Sequence, residues 1–200
     1  MPKNPLIAAA VAACAGTVVA VAPANAASPA EMAEGRRSSV YVQGDSLTVG
    51  AGPIIKQRLR GDVKDVSVDA EIGRFTATGM QRLAHSGSAR RAKVWVVALG
   101  TNDAPDPGSL RRHVVRSLEL AGPQRQVVWL TVQRPGPYGR VNAMLRRLDR
   151  QADRLTVVDW ARHVHDHPGL LGSDGVHATA TGYRVRGEMI SDAARQLARS

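Results

Sequence analysis

Two alternating hydrophobic periods are the sequence feature that most constrains the fold of this 200-residue chain. Five short apolar runs rich in valine have the composition of buried strands. They are residues 40–43, 63–68, 94–99, 127–132 and 155–160. Between and after these runs, apolar residues recur every three or four positions, which is the period of an amphipathic helix. These helical segments are residues 54–59, 78–90, 110–120, 141–150 and 183–197. Strands that alternate with helices predict an α/β fold, with a parallel sheet sandwiched between helices.

The first 26 residues predict a secretory signal peptide. Lys3 precedes an apolar, alanine-rich run over residues 6–22, and Ala24-Asn25-Ala26 has the A-x-A pattern of a cleavage site. A membrane span needs about 20 strongly apolar residues, and this run is shorter and weaker. The sequence before Cys14 resembles a lipoprotein box, but the apolar run continues beyond that cysteine. We therefore expect cleavage after residue 26, secretion rather than a lipid anchor at Cys14, and no transmembrane segment in the mature chain.

The rest of the chain predicts one domain. Residues 27–39 are polar and predict a flexible lead-in, and residues 40–200 have the length of a single domain. The only cysteine, Cys14, lies in the signal peptide, so the mature chain would contain neither a disulfide nor a cysteine metal ligand.

The net charge of +10 makes anionic cell-envelope polymers possible partners. Arginine runs on helices are nevertheless more often solvated surface than a binding face. The sequence matches no nucleic-acid-binding motif, and its seven aromatic residues are too few for a base-stacking platform. We expect no specific nucleic-acid partner.

The first candidate for catalysis is the string Gly44-Asp45-Ser46-Leu47, which follows the first predicted strand. A serine hydroxyl becomes a good nucleophile when a base can take its proton. The string also fits an ordinary turn into a helix, since aspartate and serine are good N-caps. It lacks the Gly-Lys-Ser/Thr ending of a phosphate loop, and it differs from the G-x-S-x-G turn of the α/β-hydrolases.

Two further strings could complete such a site. Asp174 precedes His177 by three residues, which suits a carboxylate that orients an imidazole base, although both could simply cap the next helix. Asn102 lies just after the most apolar strand, where its amide could donate to an oxyanion or form an Asx-turn. Ligand sites of parallel sheets lie beyond the carboxyl ends of the strands, so Ser46, Asn102 and His177 are expected at one edge.

His163, His165 and His167 alternate along the chain in a way that could suggest a metal site. The same spacing before Pro168 is equally typical of a polar loop, and further ligands for a closed site are not evident. We expect no metal.

In order and separation, four strings of the chain resemble the four sequence blocks of the SGNH, or GDSL, hydrolases. They are Gly44-Asp45-Ser46-Leu47, Gly73, Gly100-Thr101-Asn102-Asp103 and Asp174-Gly175-Val176-His177. The resemblance implies a flavodoxin-like three-layer α/β/α sandwich with five parallel strands. It also implies Ser46 as nucleophile, His177 as base and Asp174 as its partner. The oxyanion hole would comprise the backbone N–H groups of Ser46 and Gly73 and the side chain of Asn102.

A narrower similarity concerns the SGNH domains of bacterial cell-wall and polysaccharide O-acetyltransferases, which carry an additional multi-span membrane portion. It rests on residues 69–74, on Val158-Asp159-Trp160 and on the Asp174 block. We expect a secreted serine esterase that acts on a small ester or an acylated sugar, without a cofactor. The alternatives are an O-acetyltransferase or acetylesterase of envelope polysaccharide and a non-catalytic envelope-binding protein.

Overall fold

The computed structural model of the chain describes residues 27–200, and the predicted signal peptide and Cys14 lie outside the described residues. Five parallel strands form one sheet in the order β2-β1-β3-β4-β5. The strands are β1 (Ser39–Gly44), β2 (Asp65–Ala70), β3 (Val94–Ala98), β4 (Gln126–Leu130) and β5 (Leu155–Val158). This strand order is that of flavodoxin-like folds, so the predicted α/β architecture is confirmed.

Eight helices occur in the described part of the chain. They are α1 (Pro29–Arg37), α2 (Ser46–Leu59), α3 (Thr76–His85), α4 (Gly87–Arg91), α5 (Pro107–Ala121), α6 (Gly139–Asp149), α7 (Trp160–Asp166) and α8 (Ala180–Arg199). A single turn of 3₁₀-helix, Pro168–Leu170, precedes the segment that carries His177. No helix within residues 27–200 has the length and hydrophobicity to span a bilayer.

The sheet separates two hydrophobic cores, because successive side chains of a strand point to opposite faces. In β1, Val40 and Val42 belong to the core shared with α2 and α8, whereas Tyr41 belongs to the core shared with α3, α5 and α6. In the central strand β3 all five side chains are buried. A strand covered on both faces is continuously apolar, which explains the valine-rich runs of the sequence.

Residues 29–37 form a helix, which corrects the expectation of a flexible lead-in over residues 27–39. The Ser28 hydroxyl accepts a hydrogen bond from the Glu31 N–H, and the Glu31 carboxylate accepts one from the Ser28 N–H. This reciprocal capping box stabilises the first turn, and Pro29 suits the first helical position. The Ser38 hydroxyl then donates to the carbonyl of Ala198 at the end of α8. The segment is thereby held against the body of the domain.

Candidate active site

Ser46 is presented by a sharp turn between β1 and α2. The turn needs glycine at position 44, because a Cβ there would lie 1.9 Å from the Thr48 hydroxyl oxygen. Asp45 caps α2 through a 3.0 Å bond from the Leu47 N–H to its Oδ1. Ser46 is therefore the first residue of the helix, partly exposed above the carboxyl end of β1.

The turn rests on a buried pair of opposite charges. Asp45 is fully buried, and burial raises the pKa of its carboxyl while the charge of Arg186 opposes that rise. Arg186 of α8 is 2% exposed, and burial lowers its pKa to about 10. Its guanidinium lies 5.1 Å from the ring centre of Trp160, within the range of a cation–π contact. Asp45 and Arg186 are thus buried opposite charges that stabilise each other's charged form, and Asp45 is the residue next to Ser46.

His177 lies beside Ser46, although 131 residues separate them in the sequence. The Ser46 Oγ and the His177 Nε2 are 3.2 Å apart, which is hydrogen-bond distance. Backbone hydrogen bonds hold the histidine segment: the Gly172 N–H donates to the His177 carbonyl at 2.7 Å, and the Thr179 N–H donates to the Leu170 carbonyl at 2.9 Å. These bonds fix the backbone that carries the imidazole, just before α8.

Asp174 lies on the far side of the same imidazole. Its Oδ2 is 2.6 Å from the His177 Nδ1, and its Oδ1 accepts from the N–H groups of Val176 and His177. These hydrogen bonds, that of the His177 side chain first, lower the pKa of Asp174 to about 2. The carboxylate is therefore ionised at and well below neutral pH. It favours the tautomer in which Nδ1 carries the proton and Nε2 can accept one from Ser46.

Gly73 and Asn102 lie on the loops that follow β2 and β3, the neighbours of β1 in the sheet. The φ angle of Gly73 is +75°, a left-handed conformation that favours glycine. The Asn102 Nδ2 donates to the carbonyl of Arg74 at 3.2 Å. An amide NH₂ carries two hydrogens, so the second remains for another acceptor. Asn102 can thus fix the Gly73 loop and still donate to a developing oxyanion.

Three further residues, to which the sequence alone assigns no role, hold these loops. The Arg74 side chain, only 1% exposed, donates to the Asp69 carboxylate at 2.7 Å and to the Asp69 carbonyl at 2.8 Å. Asp103 accepts from the N–H and hydroxyl of Thr76, and thereby caps α3 in place of the apolar Phe75. Tyr138 donates to the Asp103 carbonyl at 2.7 Å. The loops of the site are therefore tied to one another.

The alternating histidines do not form a polar loop. His163 and His165 lie on α7, and the rings of His163 and His167 stack with centres 4.6 Å apart. Within residues 27–200, no group of three or more histidine, cysteine, aspartate or glutamate side chains is arranged to hold a metal ion.

Comparisons with known proteins bear on the fold. No protein-family model and no curated sequence matches the chain, whereas many solved structures do. The C-terminal catalytic domain of Streptococcus pneumoniae peptidoglycan O-acetyltransferase A is 20% identical, with a TM-score of 0.67 over 82% of this chain and 96% of that one. A lipase/acylhydrolase from Enterococcus faecalis is 18% identical, with a TM-score of 0.68 over 80% and 96%. The acetyl xylan esterase AlAXEase is 16% identical, with a TM-score of 0.62 over 78% and 98%.

The chain therefore has the fold of the GDSL/SGNH acylhydrolases. The likeness extends over nearly the whole of each of these solved chains.

Proposed function

We propose that this protein is a secreted serine esterase that hydrolyses carboxylic esters with short acyl groups. The observation that carries the proposal is the continuous series of contacts from the Ser46 Oγ through the His177 imidazole to the Asp174 carboxylate. Ser46 follows β1 at the carboxyl edge of the parallel sheet, and the loops after the two neighbouring strands lie on either side of it. Ligands of such folds bind at this edge. The fold shared with acylhydrolases supports the same reaction class.

The chemistry follows from the positions of these groups. The Ser46 Oγ attacks the carbonyl carbon of the ester while the His177 Nε2 takes the hydroxyl proton. The oxygen that becomes negative accepts hydrogen bonds from the N–H groups of Ser46 and Gly73 and from the free amide hydrogen of Asn102. The imidazolium returns its proton to the leaving alkoxide, and an acyl-enzyme remains. His177 then removes a proton from water, the resulting hydroxide attacks the acyl group, and the imidazolium returns the proton to the Ser46 Oγ as the carboxylic acid leaves. Each step uses protein groups and water alone, so we expect no cofactor.

A fluorophosphonate probe tests the proposal, because it labels only an activated serine. We expect stoichiometric labelling of Ser46 in the protein that begins at residue 27. Ser46→Ala should abolish labelling, and Ser88→Ala, which alters a serine on α4, should leave it unchanged. Labelling of the Ser46→Ala protein at the rate of the parent would refute the assignment. An unlabelled parent protein that is folded would favour the non-catalytic envelope-binding alternative.

A second candidate function is acyl chemistry on cell-envelope polysaccharide, by acetylesterase or O-acetyltransferase activity. The observation that favours it is the likeness to a peptidoglycan O-acetyltransferase domain and to an acetyl xylan esterase. Both reactions share the acyl-enzyme and differ in whether water or a sugar hydroxyl accepts the acyl group. The two are separated by incubating the acetyl-enzyme, formed with an isotopically labelled acetyl group, with soluble envelope oligosaccharides. Appearance of the label on sugar identifies a transferase, and its appearance as acetate identifies an esterase.

Secretion is a separate part of the proposal and has its own test. The A-x-A pattern that ends at Ala26 predicts a mature chain that begins at Ala27. Expression of the full sequence in a bacterial host, followed by mass spectrometry of the exported protein, measures this end. An uncleaved intracellular chain would contradict export, and a lipid-modified Cys14 would indicate the lipoprotein alternative.

A further inference from the structure

Large apolar side chains are exposed beside the candidate oxyanion hole. Among residues 27–200, Ile72 is 77% exposed and Phe75, the only phenylalanine of the sequence, is 55% exposed. The two residues flank Gly73 and Arg74 on the loop that leads from β2 into α3. Exposed apolar surface is unfavourable in water, so large apolar side chains exposed on a loop next to a site are typical of a binding surface.

The loop that carries these side chains is held rigidly. Arg74, between them, is buried and bonded to Asp69, and its carbonyl accepts the amide hydrogen of Asn102. Thr76, the next residue after Phe75, is bonded to Asp103 through both its N–H and its hydroxyl. The exposure of Ile72 and Phe75 is therefore enforced by partly buried polar contacts of the same loop. A group bound there would meet a preorganised surface.

We propose that Ile72 and Phe75 form an apolar platform that packs against the face of a sugar ring in the ester substrate. The inference rests on the proposed esterase function and specifies its substrate class as an O-acylated carbohydrate. A pyranose ring has a flat face of C–H groups and a rim of hydroxyl groups. It therefore needs an open apolar surface with polar groups at its border.

The surroundings of the platform match a sugar better than a long acyl chain. The Glu71 carboxylate and the Arg82 guanidinium have side-chain exposures of 62% and 52%, and both belong to the ion-pair network of Asp69 and Arg74. They provide hydrogen-bond acceptors and donors at the border of the apolar surface. A long acyl chain, by contrast, is held by a pocket that encloses most of its surface. Here the platform is largely exposed, and the side chains of His177 and Asp174 are each 51% exposed.

The test compares Phe75→Ala with the parent protein on three acyl substrates. They are an O-acetylated sugar oligomer, ethyl acetate and ethyl octanoate. We expect kcat/KM for the acetylated oligomer to fall about tenfold, mainly through KM, as for loss of an aromatic anchor. We expect the rate with ethyl acetate to change less than about twofold, because this substrate has no ring to contact the platform.

Two variants serve as controls. Phe75→Trp keeps an aromatic surface and should retain the activity on the oligomer. Met32→Ala removes another exposed apolar side chain, on α1 at the opposite end of the sheet, and should have no effect. Binding of the acetylated oligomer to the inactive Ser46→Ala protein, with and without Phe75→Ala, measures the contact without turnover. The fluorophosphonate labelling rate of Phe75→Ala should equal that of the parent.

Each other outcome would overturn the platform. Equal losses on the oligomer and on ethyl acetate, or slower labelling, would mean that Phe75 only shapes the loop. A loss confined to ethyl octanoate would identify an acyl-chain site, and Phe75-dependent sedimentation with anionic lipid vesicles would identify a membrane contact. A parent protein that is neither labelled nor active on any ester would refute the esterase function itself. An active enzyme whose activity on the oligomer is unchanged by Phe75→Ala would refute only the platform.

Discussion

The buried charges below Ser46 allow a sharp prediction, because substitution of Arg186 by methionine leaves the Asp45 carboxylate buried without its counter-charge. The two groups make no direct salt bridge but interact as opposite charges, and removal of one of two interacting buried charges costs up to about 3–5 kcal/mol. We expect the lower end, about 3 kcal/mol, because the Arg186 Nε and Nη1 have no hydrogen-bond partners to lose. For a domain of this size, 1 kcal/mol corresponds to about 2–4 °C in Tm, so Arg186→Met should lower Tm by about 6–12 °C.

The loss should depend on pH in a defined direction. Burial raises the pKa of Asp45 in the folded parent, and removal of Arg186 raises it further. A carboxyl whose folded-state pKa is raised stabilises the fold below its unfolded-state pKa, and this stabilisation is lost as the pH rises through the folded-state pKa. The Tm deficit of Arg186→Met should therefore be larger at about pH 8 than at about pH 5.

Differential scanning calorimetry at these two pH values measures the deficit. The double variant Asp45→Asn, Arg186→Met is the matched control, because it removes both charges together. Its Tm should be higher than the sum of the two single effects predicts. A deficit that is the same at both pH values, together with strictly additive single effects, would refute an electrostatic role for Arg186 and indicate that it acts only through packing against Trp160.

Three predictions concern the site itself. Ser46→Ala and His177→Ala should each abolish turnover of acetyl esters without lowering Tm, whereas His165→Ala, on α7, should leave turnover unchanged. Activity of a few per cent in a clean Ser46→Ala preparation would refute the proposed mechanism. Asn102→Ala should lower kcat by about 10²–10³. A fall in affinity alone, with kcat unchanged, would instead assign Asn102 to substrate positioning. In a series of nitrophenyl esters below their aggregation limits, acetyl to butyryl esters should have the highest kcat/KM, because the open site cannot enclose a long chain. A maximum at twelve carbons or more would point to a lipase.

The strands were predictable because a sheet covered on both faces requires continuous apolar runs. Each of the five runs lies within about two residues of an observed strand. The first half of α2 was not predictable in the same way, since Gly50, Gly52 and Pro53 interrupt its helical period. The structure explains the glycines: a Cβ at Gly50 would lie 2.4 Å from the Tyr183 ring, and one at Gly52 would lie 3.3 Å from Val68. Close packing of α2 therefore uses residues that are typical of loops.

The polar network that holds the site was less accessible from sequence than its reactive groups. Ser46 and Asn102 closely follow β1 and β3, so the parallel sheet predicts their shared edge. His177 comes only after α7 and the 3₁₀ turn, so the sheet alone does not predict its place beside Ser46. The Arg74 carbonyl bonds to Asn102 and the Asp103 carboxylate bonds to Thr76, contacts between loops that are distant in sequence, and no local period encodes such contacts. Helix α1, by contrast, could have been predicted from Ser28-Pro29-Ala30-Glu31, which has the pattern of a capping box. The polar composition of residues 27–39 predicted a flexible segment instead.

The bond between Ser38 and Ala198 has a consequence for how the enzyme can be attached to a surface. It joins the start of β1 to the last turn of α8, so both ends of the described chain lie at the amino edge of the sheet, away from Ser46. A linker ahead of residue 28 or after residue 200 would therefore emerge behind the catalytic edge. Coupling to a bead or a wall-binding module at either end should orient the site outward, toward an insoluble substrate.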